Sequence, residues 1–133
     1  MYGLDKEWFL KHPEIMDMKK TDELPLFMSE GALVIQAHPF REAGYIDHIR
    51  LFPRCVHGVE IINACRTDFE NDMAKEYADN YNLLYFAGSD NHNGSGQPLL
   101  AGVSFDTCLK DEFDFITRIK NNKMGIFVLD NRS

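Results

Sequence analysis

The sequence has little cysteine and no long hydrophobic run, and each shortage excludes a class of protein. No apolar segment approaches the roughly 20 residues that a membrane-spanning helix needs, so we expect no membrane segment. The three cysteines, Cys55, Cys65 and Cys108, are odd in number and show no CxxC spacing. Because no secretion signal is recognisable either, these features favour reduced thiols in a cytoplasmic protein.

Positive charge is also scarce. The 133 residues include 14 Lys and Arg against 21 Asp and Glu, which gives a net charge of −7. A protein that binds long nucleic acid needs a basic surface, so the charge argues against long nucleic acid as a partner. A small phosphorylated substrate is compatible with the charge, because a bound metal supplies positive charge locally.

Apolar runs alternate with amphipathic segments, and the length fits a single domain, residues 1–133. This alternation predicts an α/β fold with four or five mostly parallel strands and helices on one outer side. The predicted strands are 32–37, 58–62, 83–87, 102–105 and 125–129. The predicted helices are 5–11, 21–31, 111–121 and one that begins at a capping box of Thr67 and Glu70.

The apolar residues of two predicted helices indicate which faces are buried. In the helix after Thr67, a four-residue spacing is expected to place on the core Phe69, Met73, Tyr77 and Tyr81. In 111–121 the residues expected to face inward are Phe113, Ile116 and Ile119. The stretch 91–98, which is rich in Asn, Gly and Ser, predicts a mobile loop.

Asp90 and His92 stand out as functional candidates because they closely follow the apolar run 83–87. In an extended chain, residues two apart project to the same side, so a carboxylate and an imidazole can meet at one metal ion. His38 has the same position after the run 32–37. Ordinary alternatives exist, since Ser-Asp-Asn is common in turns and a histidine can end a strand without binding metal.

Three further charged residues lie near these motifs. Arg41 and Arg66 each follow a strand-end motif by three residues, where a phosphate group would bind. Arginine suits bidentate phosphate contacts, and the alternative at each position is a solvated surface side chain. Glu60 lies inside an apolar run, where an unpaired carboxylate is costly to bury. It either accepts structural hydrogen bonds or contacts a metal.

Three segments, in this order, resemble the later motifs of a known family: Ala37-His38-Pro39, Gly58-Val59-Glu60-Ile61-Ile62-Asn63 and Gly88-Ser89-Asp90-Asn91-His92. They are similar to motifs of the PHP (polymerase and histidinol phosphatase) family, metal-dependent phosphoesterases on a distorted (β/α)7 barrel. The resemblance implies divalent ions (Zn, Mn or Fe) held by His38, Asp90 and His92, with Glu60 and Asn63 beside the site. It also implies hydrolysis of a phosphate ester of a small metabolite or nucleotide.

The sequence has no His-x-His pair, with which the PHP family opens its set of metal ligands. The chain therefore resembles the carboxyl-terminal part of a PHP domain, an incomplete barrel that is too short to close. We expect weak or partial metal occupancy, poor hydrolysis, and self-association through uncovered sheet edges. The alternative is a non-catalytic module, derived from the PHP fold, that packs against or binds another protein.

Overall fold

A computed structural model describes residues 1–132 as a mixed α/β structure. Its helices are α1 (Lys6–Lys11), α2 (Lys20–Ser29), α3 (Asp68–Asn80) and α4 (Glu112–Lys120). Its strands are β1 (Ile35–Gln36), β2 (Gly58–Asn63), β3 (Leu84–Gly88), β4 (Leu99–Ser104) and β5 (Gly125–Asp130). Short 3₁₀ helices span Pro13–Asp17 and Gly94–Gly96. In this part of the chain, no helix has both the length and the apolar character needed to cross a membrane.

The strands form two sheets rather than one. β1, β2 and β3 form a parallel sheet in that order, and β4 pairs with β5 in an antiparallel pair. The α/β class is confirmed, but the prediction of one mostly parallel sheet is wrong for β4 and β5. Apolar runs indicate where strands lie and contain no information on strand direction, so the pattern missed the reversal. The strands of residues 1–132 form no closed barrel.

Helices cover both faces of the parallel sheet. On one face, Val59 of β2 packs with Ala74 and Tyr77 of α3. On the other face, Phe86 of β3 packs with Ile116 of α4. The expected arrangement, with the helices on one outer side, is therefore wrong for α4. β3 accordingly has apolar side chains on both of its faces, with Tyr85 in the cluster of α3 and Leu84 and Phe86 in the cluster of α4, as strands between two helical layers do.

The helix α3 begins at the predicted capping box but buries a different face. The Thr67 hydroxyl accepts a hydrogen bond from the Glu70 N–H, and the Glu70 carboxylate accepts one from the Thr67 N–H. Of the four residues expected in the core, Tyr77 is buried as predicted, whereas Phe69, Met73 and Tyr81 are 64%, 36% and 55% exposed. The buried residues are Glu70, Ala74, Tyr77 and Ala78. Each four-residue step rotates by about 40° around a helix, so the aromatic stripe turns away from the core.

The helix α4 agrees with its prediction at two of three positions. Ile116 and Ile119 are buried, whereas Phe113 is 77% exposed. Phe113 lies about 120° around the helix axis from Ile119, so one narrow face cannot hold all three side chains.

The first predicted strand is regular over only part of its length. Ile35 and Gln36 pair with Gly58 and Val59, and the preceding residues 32–34 are buried without joining that ladder. Leu33 instead makes an isolated bridge to Tyr2. The short ladder still fixes the direction of β1, and therefore the edge of the sheet at which the chain leaves it.

Candidate functional site

The carboxyl ends of β1, β2 and β3 lie at one edge of the parallel sheet. His38 follows β1 by two residues, Asn63 is the last residue of β2, and Asp90 follows β3 by two residues. Ligand sites of open parallel sheets form at this edge, outside the strand ends. The structure therefore brings these three positions to the part of the sheet where chemistry is expected.

A β-bulge in β2 determines which side chains of this strand face the site. Glu60 pairs with Phe86 and Ile62 pairs with Ala87, so Ile61 is the extra residue of the bulge. Side chains three apart normally point to opposite faces of a strand. The extra residue reverses that alternation, and Glu60 and Asn63 consequently share a face. Bulges are common beside active sites, where they redirect a side chain.

Glu60 and Asn63 are buried and form a hydrogen-bonded connection between the three strand ends. The Glu60 carboxylate accepts from the His38 backbone N–H at 2.8 Å and from the Asn63 side-chain amide at 3.0 Å. The same amide lies 3.4 Å from an Asp90 carboxylate oxygen. Of its two sequence interpretations, Glu60 thus has the contacts of a structural acceptor, and direct metal contact stays a prediction.

Gly88 gives the Glu60 carboxylate the space that it occupies. A Cβ atom built at Gly88 would overlap Glu60 Oε1. Asn63 pairs with Gly88 across the ladder, so the glycine sits directly beside the carboxylate–amide pair. The glycine of the Gly-Ser-Asp-Asn-His segment is therefore required for close packing.

Two candidate metal ligands have unusual backbone conformations. His38 has a φ of 25° and Asp90 a φ of 48°, in the left-handed region that residues other than glycine seldom adopt, although Asn, Asp and His enter it more often than the rest. Such conformations cost on the order of 1–3 kcal/mol each and concentrate at functional sites. At both positions the chain turns sharply as it leaves its strand, which holds the side chain at the sheet edge.

His92 is oriented by the carbonyl of Asp90. Its Nδ1 lies 2.7 Å from that carbonyl oxygen, which can only accept, so Nδ1 carries the proton. The Nε2 lone pair is then available to a ligand. Metal-binding histidines commonly donate their second nitrogen to a carbonyl in this way. The same Nδ1 is 3.6 Å from the Asp90 carboxylate, so the two predicted ligands lie side by side.

The third predicted ligand does not complete a site with this pair. Among residues 1–132, no group of three or more His, Cys, Asp or Glu side chains is placed to hold a metal ion. His38 therefore shares the sheet edge with Asp90 and His92 without forming a three-ligand centre there. The imidazole and carboxylate donors suit Zn²⁺ or Mn²⁺ chemically. Ligation by the three residues stays a prediction.

Cys65 and Gln97 stabilise the Asp90 turn through hydrogen bonds, although no sequence pattern selects them. The Cys65 thiol donates to the carbonyls of Ser89 at 3.2 Å and Asp90 at 3.3 Å. The buried Gln97 amide in turn donates to the Cys65 sulfur at 3.1 Å. Neither residue belongs to a motif, and Gln97 lies in the stretch 91–98 that is predicted to be a mobile loop. Only the folded arrangement reveals their role.

The two predicted phosphate-binding arginines lie in separate cavities. Arg41 lines a cavity of about 380 Å³ together with His38, and Arg66 lines one of about 590 Å³ together with Asn63. Both side chains have a buried Nε without a hydrogen-bond partner. Neither arginine is paired with a carboxylate in the part of the chain that the structure describes. Phosphate binding by either one stays a prediction.

Glu70 connects α3 to the loop that follows His38. Its carboxylate accepts the backbone N–H of Glu42 at 2.8 Å, in addition to the capping contacts with Thr67. Burial opposes the charge, but the donors from Glu42 and Thr67, together with Arg66, hold the pKa of Glu70 below its usual value. Glu70 therefore stabilises the helix start and the loop in its ionised form.

No protein-family model, curated protein or solved structure matches the chain. The resemblance to the PHP family consequently depends on the three sequence motifs. The structure places residues of all three motifs at the carboxyl ends of β1, β2 and β3.

Proposed function

We propose that this chain forms part of a metal-dependent phosphoesterase site of the PHP type. The observation that carries the proposal is the hydrogen-bonded connection from His38 through Glu60 and Asn63 to Asp90, at the carboxyl ends of three parallel strands. It joins residues from all three PHP-like motifs. Buried polar side chains joined in this way fix the positions of ligands that act together.

In this proposal Asp90, His92 and His38 hold divalent ions, and Arg66, which lines the cavity beside Asn63, binds oxygens of the phosphate that is hydrolysed. Bound ions would supply positive charge and a water of lowered pKa for attack on phosphorus. Asn63 and Glu60 keep the Asp90 carboxylate and the His38 backbone in place. The substrate is a small phosphorylated metabolite or nucleotide, because the net charge of −7 opposes long nucleic acid.

We further propose that the parallel sheet is one portion of a distorted (β/α)7 barrel. In the PHP family, the remaining metal ligands lie on strands with an His-x-His pair, which this sequence does not contain. Asp90 and His92 alone give an incomplete ligand set, so weak metal binding and slow turnover are expected of the 133 residues.

The test compares the 133-residue chain with a fusion that adds amino-terminal PHP strands carrying the His-x-His pair. Phosphate release from an aryl phosphate should be low in the chain and higher in the fusion. A chelator should abolish the release, and Mn²⁺ or Zn²⁺ should restore it. Asp90→Asn should remove activity from the fusion, whereas Asp106→Asn, a matched change at an exposed position, should not. Release that persists in the chelator would overturn the proposal.

The absence of a three-ligand group in residues 1–132 favours one second candidate, a non-catalytic binding or packing module. In that case the connection through Glu60 would only stabilise the sheet edge. Inactivity of both proteins, across a panel of phosphate esters and metals, would support this candidate.

A further inference from the structure

The cavity beside His38 has features that the proposed metal site does not use. Its volume of about 380 Å³ lies within the roughly 300–1,000 Å³ of small-molecule sites. Besides His38, its lining includes Arg41, Tyr45, His48 and Arg50. These residues belong to the loop after β1, so the cavity opens next to the sheet edge that carries the candidate ligands.

The lining is cationic in a protein that is otherwise acidic. Arg41 and Arg50 both face the cavity, and Asp47 is the acidic residue in its lining. Within residues 1–132, neither arginine forms an ion pair with a carboxylate. The buried Nε of Arg41 has no hydrogen-bond partner at all. An unpaired buried donor is costly, and an anion bound in the cavity would place a compensating charge beside the Arg41 guanidinium.

The cationic residues make contacts within their own loop and with β1 in the absence of a ligand. The Arg50 Nε donates to His48 Nε2 at 2.8 Å, and the Gln36 side chain donates to the Arg50 carbonyl at 2.7 Å. The Arg41 guanidinium lies 5.6 Å from the centre of the Tyr45 ring, within cation–π range. Ordered side chains lose less entropy on binding, which favours recognition by this cavity.

We propose that this cavity binds a second anionic group of the substrate, distinct from the phosphate that is hydrolysed. The identification of the ligand as substrate rests on the proposed function; the anion binding itself does not. Arginine forks bind phosphate and carboxylate by the same bidentate chemistry. The substrate is therefore a small molecule with a phosphate ester at one end and a phosphate or carboxylate at the other.

The test measures anion binding to the 133-residue chain by calorimetry, in EDTA and at low ionic strength. The probes are inorganic phosphate and acetate. Saturable binding of at least one is expected, and the tighter probe identifies the second group as phosphate or carboxylate. Arg41→Ala and Arg50→Ala should each weaken that binding about tenfold or more, as loss of a charge-assisted contact does. Arg54→Ala, the same change at an exposed neighbour outside the cavity lining, should alter it less than about twofold.

Two results would overturn the proposal: no saturable binding in EDTA, or equal loss in all three arginine variants. Arg50 has an exposed side chain, so its variant remains informative if Arg41→Ala fails to fold. Because EDTA removes divalent ions, this experiment is independent of the metal-dependent hydrolysis assay. Failure of one proposal is thus distinguishable from failure of the other.

Discussion

At the scale of single residues, Gly88 is expected to be sensitive to the smallest addition. A methyl group there would meet the Glu60 carboxylate, which has little freedom to move because His38 and Asn63 both donate to it. We expect Gly88→Ala to lower the free energy of unfolding by about 1–3 kcal/mol, the usual effect of overpacking. Urea denaturation measures the change. Gly96→Ala is the control, since no atom lies near that position, and equal losses in both variants would contradict the argument.

Substitutions at Cys65 test whether its thiol holds Asp90 in position through hydrogen bonds or only fills space. Cys65→Ala removes the donor to the Ser89 and Asp90 carbonyls, whereas Cys65→Ser keeps one. If Asp90 binds metal, the alanine variant should bind Mn²⁺ roughly two- to tenfold more weakly, the effect of one lost hydrogen bond. The serine variant should stay close to the original protein. Calorimetric titration with Mn²⁺ compares the two, and identical affinities would show that the thiol does not position Asp90.

The candidate ligands His38 and Asp90 could be selected from the sequence, whereas the residues that hold their turns in place could not. His38 and Asp90 closely follow apolar runs, a pattern that indicates strand ends. Cys65 and Gln97 contact the Asp90 turn only because β2 and β3 are neighbours and the chain folds back after Asp90. Such contacts depend on which strands are neighbours in the sheet, and the spacing of residues along the chain does not reveal that order.

At the scale of secondary-structure elements, the start of α3 is expected to respond to pH through Glu70. The pKa of Glu70 is lowered in the folded protein, so its contribution to stability is present above its unfolded pKa, near 4.5, and is lost as pH falls through the folded value. Glu70→Gln should therefore reduce stability by about 1.5–3 kcal/mol at pH 7. The difference from the original protein should shrink as pH falls below 4.5 and through the lowered folded pKa.

Thermal or urea unfolding between pH 3 and pH 7 measures this difference. Glu76→Gln, on an exposed face of the same helix, controls for the change in net charge and should have little effect. A destabilisation by Glu70→Gln that is the same at every pH would show that the charge of Glu70 is not the cause.

The positions of the elements were more predictable than their arrangement. Four of the five predicted strands lie close to β2, β3, β4 and β5, and the capping box at Thr67 marked the start of α3. Periodicity failed for the aromatic stripe of α3, because its four-residue step drifts around the helix. It also could not show that β4 and β5 run antiparallel, since both directions produce the same apolar pattern.

At the scale of the whole molecule, the outer edge of β5 is the expected site of self-association. β5 pairs with β4 along one edge, and no strand of residues 1–132 pairs with the other. Val128 and Leu129 on this strand are exposed. An unpaired apolar edge strand is a template for pairing with a second copy. We expect the apparent mass in light scattering to rise with protein concentration.

Val128→Lys should suppress that rise by at least severalfold, because a charged side chain blocks edge pairing. Phe113→Lys is the control, since Phe113 is an apolar residue, 77% exposed against 51% for Val128, on a helix rather than a strand edge. A strictly monomeric protein at high concentration, or equal suppression by both variants, would show that the β5 edge is not the contact.

Because of the bulge at Ile61, the site depends on the number of residues between Glu60 and Asn63. Between Glu60 and Asn63 the number of residues must have the right parity, because one residue more or fewer exchanges the two faces of the strand end. A substitution at Ile61 changes volume and leaves the parity intact, so the carboxylate and the amide still meet. A single-codon deletion there would separate them while leaving every side chain of the site in the sequence. Relatives of this chain should therefore vary in residue type across this segment more readily than in length.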